Sequence, residues 1–298
     1  MRVAVGGSTG LIGSALTQHL RRTGHEVVRL VRREPHSPDE RRWHLSEQRR
    51  EIEGGLADVD AVVNLAGAGI ANARWTRSRK RELVDSRLRP TQTIAAALAE
   101  APRCRTFLSG SAIGVYGDRG PEQLDEQSSA GHGFLADLVR DWEAAAVELS
   151  PTDTRVVLLR TGHVLAGQGG ILGKQKLIYE LGLGGPIGDG GQWVSWISLA
   201  DHVAAMTHLL TRDDLCGPVN MVGPNPVTNL EFTRAFARAM HRPAKLPLPL
   251  PVARAVFTSE MVDDAMLASQ RVRPKVLIES GFDFGHRTVN DAMRAALD

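Results

Sequence analysis

The sequence predicts an α/β fold built on a doubly wound parallel sheet, and two features of the chain predict it. Short apolar runs that are typical of buried strands alternate with longer amphipathic or alanine-rich stretches that are typical of helices. A glycine-rich turn joins the first apolar run to the first helical stretch. With 298 residues, the chain can form one large domain or a domain with an added lobe.

Composition and charge exclude several classes of function. The 36 Lys and Arg residues and the 34 Asp and Glu residues leave a net charge of +2 and form no basic tract, so we predict neither a nucleic-acid partner nor a membrane partner. Two cysteines, Cys104 and Cys216, and histidines without ligand spacing predict neither disulfides nor a metal site. No apolar run reaches the roughly 18 residues of a membrane helix. Because no signal peptide precedes the first strand, we expect a cytoplasmic protein, and composition leaves its oligomeric state open.

The first strand, turn and helix are predicted to form a phosphate site. Residues 3–5 form a short apolar strand, glycines follow at 7, 10 and 13, and residues 14–20 continue as a helix. Glycine lets the backbone approach a pyrophosphate closely, and the unpaired N–H groups and positive dipole end of the helix face its charge. The predicted cofactor contacts of this loop are Gly7, Ser8, Thr9, Gly10, Leu11, Ile12 and Gly13.

Two alternatives to this interpretation remain open. The spacing G-x-x-G-x-x-G differs from the usual G-x-G-x-x-G dinucleotide motif, so residues 7–13 can also be a plain strand-to-helix turn. Gly6 to Gly10 also match G-x-S-x-G, the turn that carries the serine nucleophile of α/β hydrolases. That turn normally follows several strands, whereas only five residues precede Gly6, which disfavours a hydrolase.

The end of the second predicted strand, at 25–31, indicates which dinucleotide binds. An acidic residue there would bind the ribose hydroxyls of NAD, but Arg32 and Arg33 follow the strand and suit the 2′-phosphate of NADP. Two alternatives are open, because the arginines can be a solvated surface pair and the adjacent Glu34 can bind the ribose. From these residues we predict NADP(H) as the cofactor.

The remaining elements repeat the alternation of strands and helices. Further strands are predicted at 60–67, 105–111, 154–161 and 218–222, with a short one at 43–45; helices are predicted at 49–56, 75–100, 134–149, 199–210 and 229–240, followed by an extended linker at 243–251 and a helical tail at 252–298. We predict a cofactor-binding domain at 1–165 and a smaller, mixed C-terminal substrate lobe at 166–298, in which the strand near 218–222 can return to the main sheet.

Two further stretches are candidates for ligand binding. Ligands of open α/β sheets bind at the carboxyl ends of the strands, and the strand at 60–67 ends in Asn64-Leu-Ala-Gly67, whose small residues allow a ligand to approach. Beyond residue 166, a glycine-rich segment precedes Trp193 and Trp196. These tryptophans can line a small-molecule pocket or can be ordinary core residues.

Together with the segment Ser109-Gly-Ser-Ala-Ile-Gly-Val-Tyr-Gly117, these motifs resemble those of the extended and atypical short-chain dehydrogenase/reductases, whose fold is a Rossmann-type sheet. More narrowly, the whole chain resembles the NAD-dependent epimerase/dehydratase-like group called epimerase family proteins, which carry a C-terminal domain of unknown function. This narrower resemblance rests on Arg74-Trp75, Ser86-Arg87, Trp142-Glu-Ala-Ala-Ala146, Arg160-Thr-Gly162, Leu183-Gly-Gly-Pro-Ile-Gly188, Gln192-Trp-Val-Ser-Trp-Ile197, Ser269-Gln-Arg-Val-Arg-Pro-Lys275 and Gly281-Phe-Asp-Phe284.

The resemblance implies an NADP(H) site that continues beyond the glycine loop. The implied contacts are Arg32, Leu65 and Ala66 near the adenine side, Glu82 and Arg87 on the following helix, and the backbone around Val164; Gly67 joins them as the last small residue of its strand end. This implied site agrees with the basic end of the second strand.

The sequence departs from the wider superfamily at two places. Hydride transfer there uses a Tyr-x-x-x-Lys pair, in which the lysine and the positive charge of the cofactor lower the pKa of the tyrosine. Where that pair would fall, before Trp142, stand Phe134 and Leu138, neither of which can carry a proton. Sugar-nucleotide enzymes place an arginine for the substrate diphosphate where this chain has Val194, which disfavours a UDP-sugar substrate.

Two residues remain as candidates for catalysis. Ser111, at the carboxyl end of its strand, matches the catalytic serine of the superfamily and can hydrogen-bond a substrate carbonyl, and Tyr116 is the nearby phenol. Alternatively, Ser111 caps a turn and Tyr116 packs under the loop. We therefore predict an NADP(H)-binding oxidoreductase or epimerase-like protein with a small-molecule substrate and a nonstandard active site. The alternative is a regulatory or interaction protein that senses NADP(H) without turnover.

Overall fold

The computed structural model describes residues 1–182, 184–244 and 246–297, except the side chains of Ile171 and Lys174. Three residues that enter the sequence analysis lie outside the described residues. They are Leu183 of the motif at 183–188, Lys245 of the predicted linker and Asp298 of the predicted tail.

Strands and helices alternate along most of the chain. The strands are β1 (Arg2–Gly6), β2 (Glu26–Val31), β3 (Glu40–Leu45), β4 (Arg50–Ile52), β5 (Ala61–Asn64), β6 (Thr106–Ala112), β7 (Gln123–Leu124), β8 (Arg155–Thr161), β9 (His163–Leu165), β10 (Trp193–Val194), β11 (Trp196–Ser198), β12 (Gly217–Met221), β13 (Val227–Thr228) and β14 (Arg271–Val272). The helices are α1 (Leu11–Arg22), α2 (Arg77–Leu98), α3 (Phe134–Glu148), α4 (Gly170–Glu180), α5 (Leu199–Leu210), α6 (Asn229–Ala239), α7 (Leu250–Val256), α8 (Ser259–Met261), α9 (Lys275–Glu279) and α10 (Val289–Leu297), with a 3-10 turn at Ile113–Tyr116 and a π-helical turn at Val262–Leu267.

The central sheet confirms the predicted fold class. Among the described residues it contains eight strands in the order β12-β8-β6-β5-β1-β2-β3-β4, and all neighbours pair in parallel except β3 and β4. The strand order reverses at β1, which lies between β2 and β5. In doubly wound sheets, the crevice outside the carboxyl ends of the strands at such a reversal is where ligands bind.

Helices cover both faces of this sheet, which is why the central strands β1 and β5 carry continuous apolar runs rather than an alternating pattern. On one face, Leu16 of α1 packs with Met206 and Leu209 of α5. On the other face, Ile94 of α2 packs in the same cluster as Ala146 of α3. Because these strands are parallel, the loops that follow β1, β2, β5 and β6 all lie at the carboxyl edge of the sheet, between the two helical layers.

Two predicted elements are wrong, and the tail predicted to be helical at 252–298 also contains a strand, β14, which pairs with β7. The helix predicted at 49–56 is the strand β4 followed by a turn, because Ile52 pairs with Trp43 on β3, a contact that local periodicity does not show. The linker predicted to remain extended to residue 251 ends earlier, since α7 begins at Leu250. Pro251 is compatible with this start because the first turn of a helix does not need its N–H.

The chain after β9 contributes both to the main sheet and to a separate apolar cluster. The strand predicted near 218–222 does return to it, as β12 beside β8. Trp196 and Phe236 form the centre of a separate apolar cluster together with Met293 of α10. In the part of the chain that the structure describes, no helix has the length and apolar character needed to cross a membrane.

Candidate functional site

The glycine loop turns from β1 into α1 against the end of β5. Gly7 has a φ of +75°, and a Cβ at this position would lie 2.7 Å from the carbonyl carbon of Leu65. A Cβ at Gly13 would overlap the carbonyl oxygen of Gly7. The packing of the chain itself therefore requires glycine at both positions.

Gly10 and Ser8 instead point to a ligand. Among the described residues, a Cβ at Gly10 would approach only the Gly7 oxygen, at 3.4 Å, which is an ordinary contact, so none of them demands glycine there. Ser8 Oγ is buried without a hydrogen-bond partner among the described residues, and no side chain caps the start of α1. A pyrophosphate fits this cradle, because it would occupy the space beside Gly10 and accept hydrogen bonds from Ser8 and the first helical turn.

The burial of Ser8 also argues against the hydrolase alternative. A serine nucleophile is exposed at the tip of its turn and hydrogen-bonded to a base. Ser8 is only 4% exposed, and its hydroxyl is bonded to no base among the residues that the structure describes. Of the other loop residues, Thr9 is exposed, whereas Ile12 is half-buried against the core.

The two arginines after β2 have different surroundings. Arg33 donates two hydrogen bonds to Glu40, at 2.8 and 2.7 Å, and these bonds are the main reason that the pKa of Glu40 lies at about 2. Glu34 is ion-paired with Arg42. Arg32 is exposed and has no hydrogen bond or ion pair with any other described residue. Of these side chains, Arg32 is therefore the one free to bind a 2′-phosphate.

The end of β5 is shaped by a residue to which the sequence analysis assigned no role. Asn64 is fully buried, and its Oδ1 accepts a hydrogen bond from the backbone N–H of Ala66 at 3.1 Å. Its Nδ2 donates to Thr91 on α2, also at 3.1 Å. These bonds hold Leu65 and Ala66 against Gly7, so three predicted cofactor contacts meet at the crevice.

Arg87 lies under the same strand end. Its guanidinium donates to the carbonyl oxygens of Leu83 and Ala68, each at 3.0 Å, and its Cζ lies 5.3 Å from the centre of the Trp142 ring. The pKa of Arg87 is lowered to about 10, mainly by burial and in smaller part by the charge of Arg79. Arg87 has no acidic partner in the described part of the chain, which makes an anionic ligand favourable there.

Leu11 and Val164 meet on the other side of the crevice. A Cβ at Gly170 would lie 3.2 Å from a Leu11 methyl carbon and 3.6 Å from the carbonyl oxygen of Val164. Val164 is held by the pairing of β9 with β11. Glu82, by contrast, is an exposed residue of α2 whose carboxylate accepts a hydrogen bond from Arg79 at 2.6 Å.

Ser111 belongs to a polar chain that spans three strands and a helix. Its Oγ donates to Glu143 Oε1 on α3 at 2.5 Å. Arg160, the neighbour of Ser111 on β8, donates to both carboxylate oxygens of Glu143, each at 2.9 Å. Burial by itself would lower the pKa of Arg160, but the bonds and charges of Glu143 and Tyr116 outweigh it and raise that pKa.

Tyr116 closes this chain from the loop after β6. The residue is fully buried, its hydroxyl donates to Asn220 Oδ1 at 2.8 Å, and it accepts a bond from Arg160 at 3.0 Å. Burial raises the pKa of Tyr116, so the phenol stays neutral at physiological pH. The packing is that of the structural alternative, and it argues against direct contact of this hydroxyl with a substrate.

The residues at the start of α3 that take the place of the Tyr-x-x-x-Lys pair offer no replacement proton donor, and Asp137, the acid of the first turn, is exposed and ion-paired with Arg140. Phe134 packs on Trp75 with ring centroids 5.1 Å apart, and Leu138 is buried in the same apolar cluster. The side chains that face Gly114, in the turn after β6, are Leu135 and Val139, which are equally unable to carry a proton.

The aromatic segment before α5 is largely core. Trp196 is fully buried and donates its indole N–H to the Asn225 carbonyl, and Val194 packs in the same cluster. Trp193 is half-buried, with the Arg271 guanidinium 4.3 Å from its ring centre. Of the two tryptophans, only Trp193 is placed to face a ligand.

Glu143, Arg160 and Asn220 are the residues that sequence reasoning missed. Two of them stand inside motifs that carried the family resemblance, at 142–146 and 160–162, but neither motif indicates a partner for its charge. The signal available was the rarity of buried charges without pairing. Within the described residues, no cluster of three or more His, Cys, Asp or Glu side chains is placed to hold a metal ion.

Comparison with known proteins gives matches over the whole chain. The model of the NAD dependent epimerase/dehydratase family matches residues 3–223, and that of a domain of unknown function (DUF1731) matches residues 248–296. The epimerase family protein Mb2239 of Mycobacterium bovis is 46% identical over 98% of this chain and 96% of its own length.

Solved structures agree with these matches. The crystal structure of human epimerase family protein SDR39U1 (isoform2) with NADPH superposes with a TM-score of 0.91 at 37% identity, covering 100% of this chain and 99% of the human one. A UDP-galactose 4-epimerase superposes with a TM-score of 0.72 at 17% identity, over 100% of this chain and 98% of its own, a likeness that concerns the fold alone.

Proposed function

Because the chain belongs to the NAD-dependent epimerase/dehydratase family, we propose that it is an NADP(H)-binding oxidoreductase or epimerase-like enzyme acting on a small molecule. The observation that carries the choice of cofactor is Arg32, which stands unpaired after β2 beside the glycine loop while Arg33 and Glu34 are bonded to other described residues. The relative crystallised with NADPH supports the same choice. The cofactor would supply hydride exchange; Ser8, Gly10 and Arg87 would hold its charged groups.

A titration of NADPH against NADH tests this proposal. One or two charge-assisted hydrogen bonds, each contributing about 1.5 to 3 kcal/mol, predict that NADPH binds at least roughly tenfold more tightly. Arg32→Ala should remove most of this preference, because it weakens the binding of NADPH and leaves the binding of NADH unchanged. Arg33→Ala is the matched control, because it deletes the same charge one residue away but breaks the pair with Glu40.

The control should keep the preference while losing thermal stability. Equal calorimetric affinities of the wild-type protein for both cofactors, or a preference that persists in Arg32→Ala, would contradict the proposal.

A second candidate is an NADP(H)-sensing regulatory or interaction protein. Two observations favour it: Tyr116 is sealed in a buried network, and Phe134 and Leu138 stand where the superfamily has its proton-donating pair. Incubation with NADPH and a panel of aldehydes, ketones and quinones, and with NADP⁺ and the matching alcohols, separates the two. Turnover supports the enzyme, and tight binding without turnover across the panel supports the sensor.

A further inference from the structure

The direction of the Ser111 hydrogen bond is determined by its partner. Both oxygens of Glu143 accept hydrogen bonds from the Arg160 guanidinium, so Glu143 is an ionised carboxylate that can only accept. Ser111 Oγ, 2.5 Å from Glu143 Oε1, must therefore be the donor. A hydroxyl has one proton, and the proton of Ser111 is committed to Glu143.

Glu143 is held in place, so its hydrogen bond from Ser111 is not easily broken. Its bidentate partner Arg160 is held on β8 directly beside Ser111 and donates a further bond to Tyr116 at 3.0 Å. Tyr116 in turn donates to Asn220 on β12, the next strand. Turning the Ser111 proton toward a ligand would break a bond to a charged group, which contributes about 1.5 to 3 kcal/mol. Only the lone pairs of Ser111 remain available to a ligand.

We propose that Ser111 recognises the substrate as a hydrogen-bond acceptor, so that the site takes an alcohol, through its O–H group, in preference to the matching carbonyl compound. Glu143 is the positioning residue that orients Ser111, and Arg160 holds Glu143. This rests on the proposed function, with the substrate placed at the carboxyl end of β6, where the sequence analysis puts Ser111 as a catalytic candidate. It reverses the expectation from sequence, where Ser111 donates to a substrate carbonyl.

A thiol at position 111 reports the direction of this bond without a known substrate. In Ser111→Cys, the Glu143 carboxylate should stabilise the protonated thiol and raise its pKa above the ordinary value of about 8.5. The pH dependence of alkylation by iodoacetamide measures that pKa. Exposed Cys216 is replaced by serine beforehand, and buried Cys104, whose burial raises its pKa to about 12, is resolved by peptide mass mapping.

Adding Glu143→Gln to Ser111→Cys should speed alkylation of the introduced thiol at about pH 8 by at least roughly tenfold, because the carboxylate is gone. The matched control is Asp137→Asn, which removes a carboxylate paired with Arg140 on the exposed face of the same helix and should leave the rate unchanged. If Glu143→Gln alone fails to fold, Glu143→Gln with Arg160→Met removes the whole buried pair and leaves no unpaired charge.

In the wild-type serine background, Glu143→Gln should lower the KM of ketones relative to that of the matching alcohols by roughly tenfold, since the Ser111 proton becomes available.

The outcomes decide the proposal. Slow alkylation that Glu143→Gln accelerates, and that saturating NADPH slows, supports it. An alkylation profile unchanged by Glu143→Gln shows that Ser111 does not donate to Glu143, and an introduced thiol that reacts only in denaturant shows that position 111 does not open on the site; either result overturns it. Calorimetry of NADPH on the same variants is independent, so loss of cofactor binding with intact thiol behaviour would contradict the proposed function instead.

Discussion

Arg87 shows how one buried charge can mark a ligand site. Its hydrogen bonds go to two backbone carbonyls and its guanidinium stacks on Trp142, but the described residues offer it no carboxylate. A buried cation without a counter-charge costs stability, and binding of an anion would offset that cost. Arg87 thus lowers the stability of the cofactor-free protein and raises its affinity for an anionic ligand.

Arg87→Met is expected to weaken NADPH binding at least roughly tenfold, because a charge-assisted contact is lost. The same change should leave the melting temperature of the cofactor-free protein equal or higher, since an unpaired charge is removed from a poorly solvated position while the aliphatic part of the side chain is kept. Thermal unfolding with and without NADPH measures both effects. Arg81→Met, an exposed residue on the same helix, controls for net charge, and equal losses of affinity in the two variants would refute a direct role for Arg87.

At the scale of elements, the turn between β1 and α1 contains glycines that are needed for two different reasons. Gly13 lets α1 pack on the carbonyl of Gly7, whereas Gly10 leaves space that the protein itself does not fill. The residue conformation at Gly10, with φ −77° and ψ 171°, is accessible to any amino acid. The spacing of the motif therefore combines a folding requirement with a binding requirement.

Gly10→Ala is expected to fold with a loss of about 1 kcal/mol, the scale of a helix-cap substitution, and to lose NADPH binding because its methyl group would occupy the pyrophosphate space. Gly13→Ala should destabilise the protein by about 3 kcal/mol, because its Cβ would overlap a backbone oxygen. Urea unfolding and calorimetry on both variants test the distinction. A Gly10→Ala protein that binds NADPH normally would contradict the cradle.

At the scale of the whole molecule, Glu126 links the edge strand β12 to α9 in the C-terminal part of the chain. Its Oε1 accepts hydrogen bonds from the backbone N–H groups of Asn220 on β12 and of Val276 on α9, at 3.0 and 3.2 Å. Its Oε2 is buried without a partner in the described chain. Burial raises the pKa of Glu126, so protonation of this acid is easier in the folded protein than in the unfolded chain.

This raised pKa gives stability a predictable pH dependence. Between the unfolded value and the higher folded value, the folded protein binds more protons than the unfolded chain, so the contribution of Glu126 falls as pH rises through that window. Glu126→Gln keeps the Oε1 acceptor and does not titrate, so its stability relative to wild type should be greater at about pH 7 than at about pH 4. Urea unfolding at both values tests this; a relative stability that is the same at both, as expected for the exposed control Glu148→Gln, would contradict it.

Much of the fold follows from patterns within about a dozen neighbouring residues. The helix at 199–210 has the bounds that its periodicity predicts, and the order of strand, glycine turn and helix at the start of the chain was readable because a phosphate site needs those residues at that spacing. The segment at 49–56 was misjudged because Arg50–Ile52 is too short to show a strand pattern of its own and is held as β4 by its pairing with β3 across a short turn. The structure of such a strand depends on its partner, which the residues of the segment alone do not reveal.

The amino-acid sequence by itself determined the doubly wound sheet, the position of the glycine turn between β1 and α1 and the absence of a Tyr-x-x-x-Lys pair, because each depends on residue type and short spacing. Only the tertiary structure decided which of two adjacent arginines is free, since Glu40 lies on a neighbouring strand and engages Arg33 alone of the two. It also decided that Ser111 donates its proton to Glu143. Residues 111, 143 and 160 come from two strands and a helix, and the direction of a hydrogen bond depends on the charge of the group it meets.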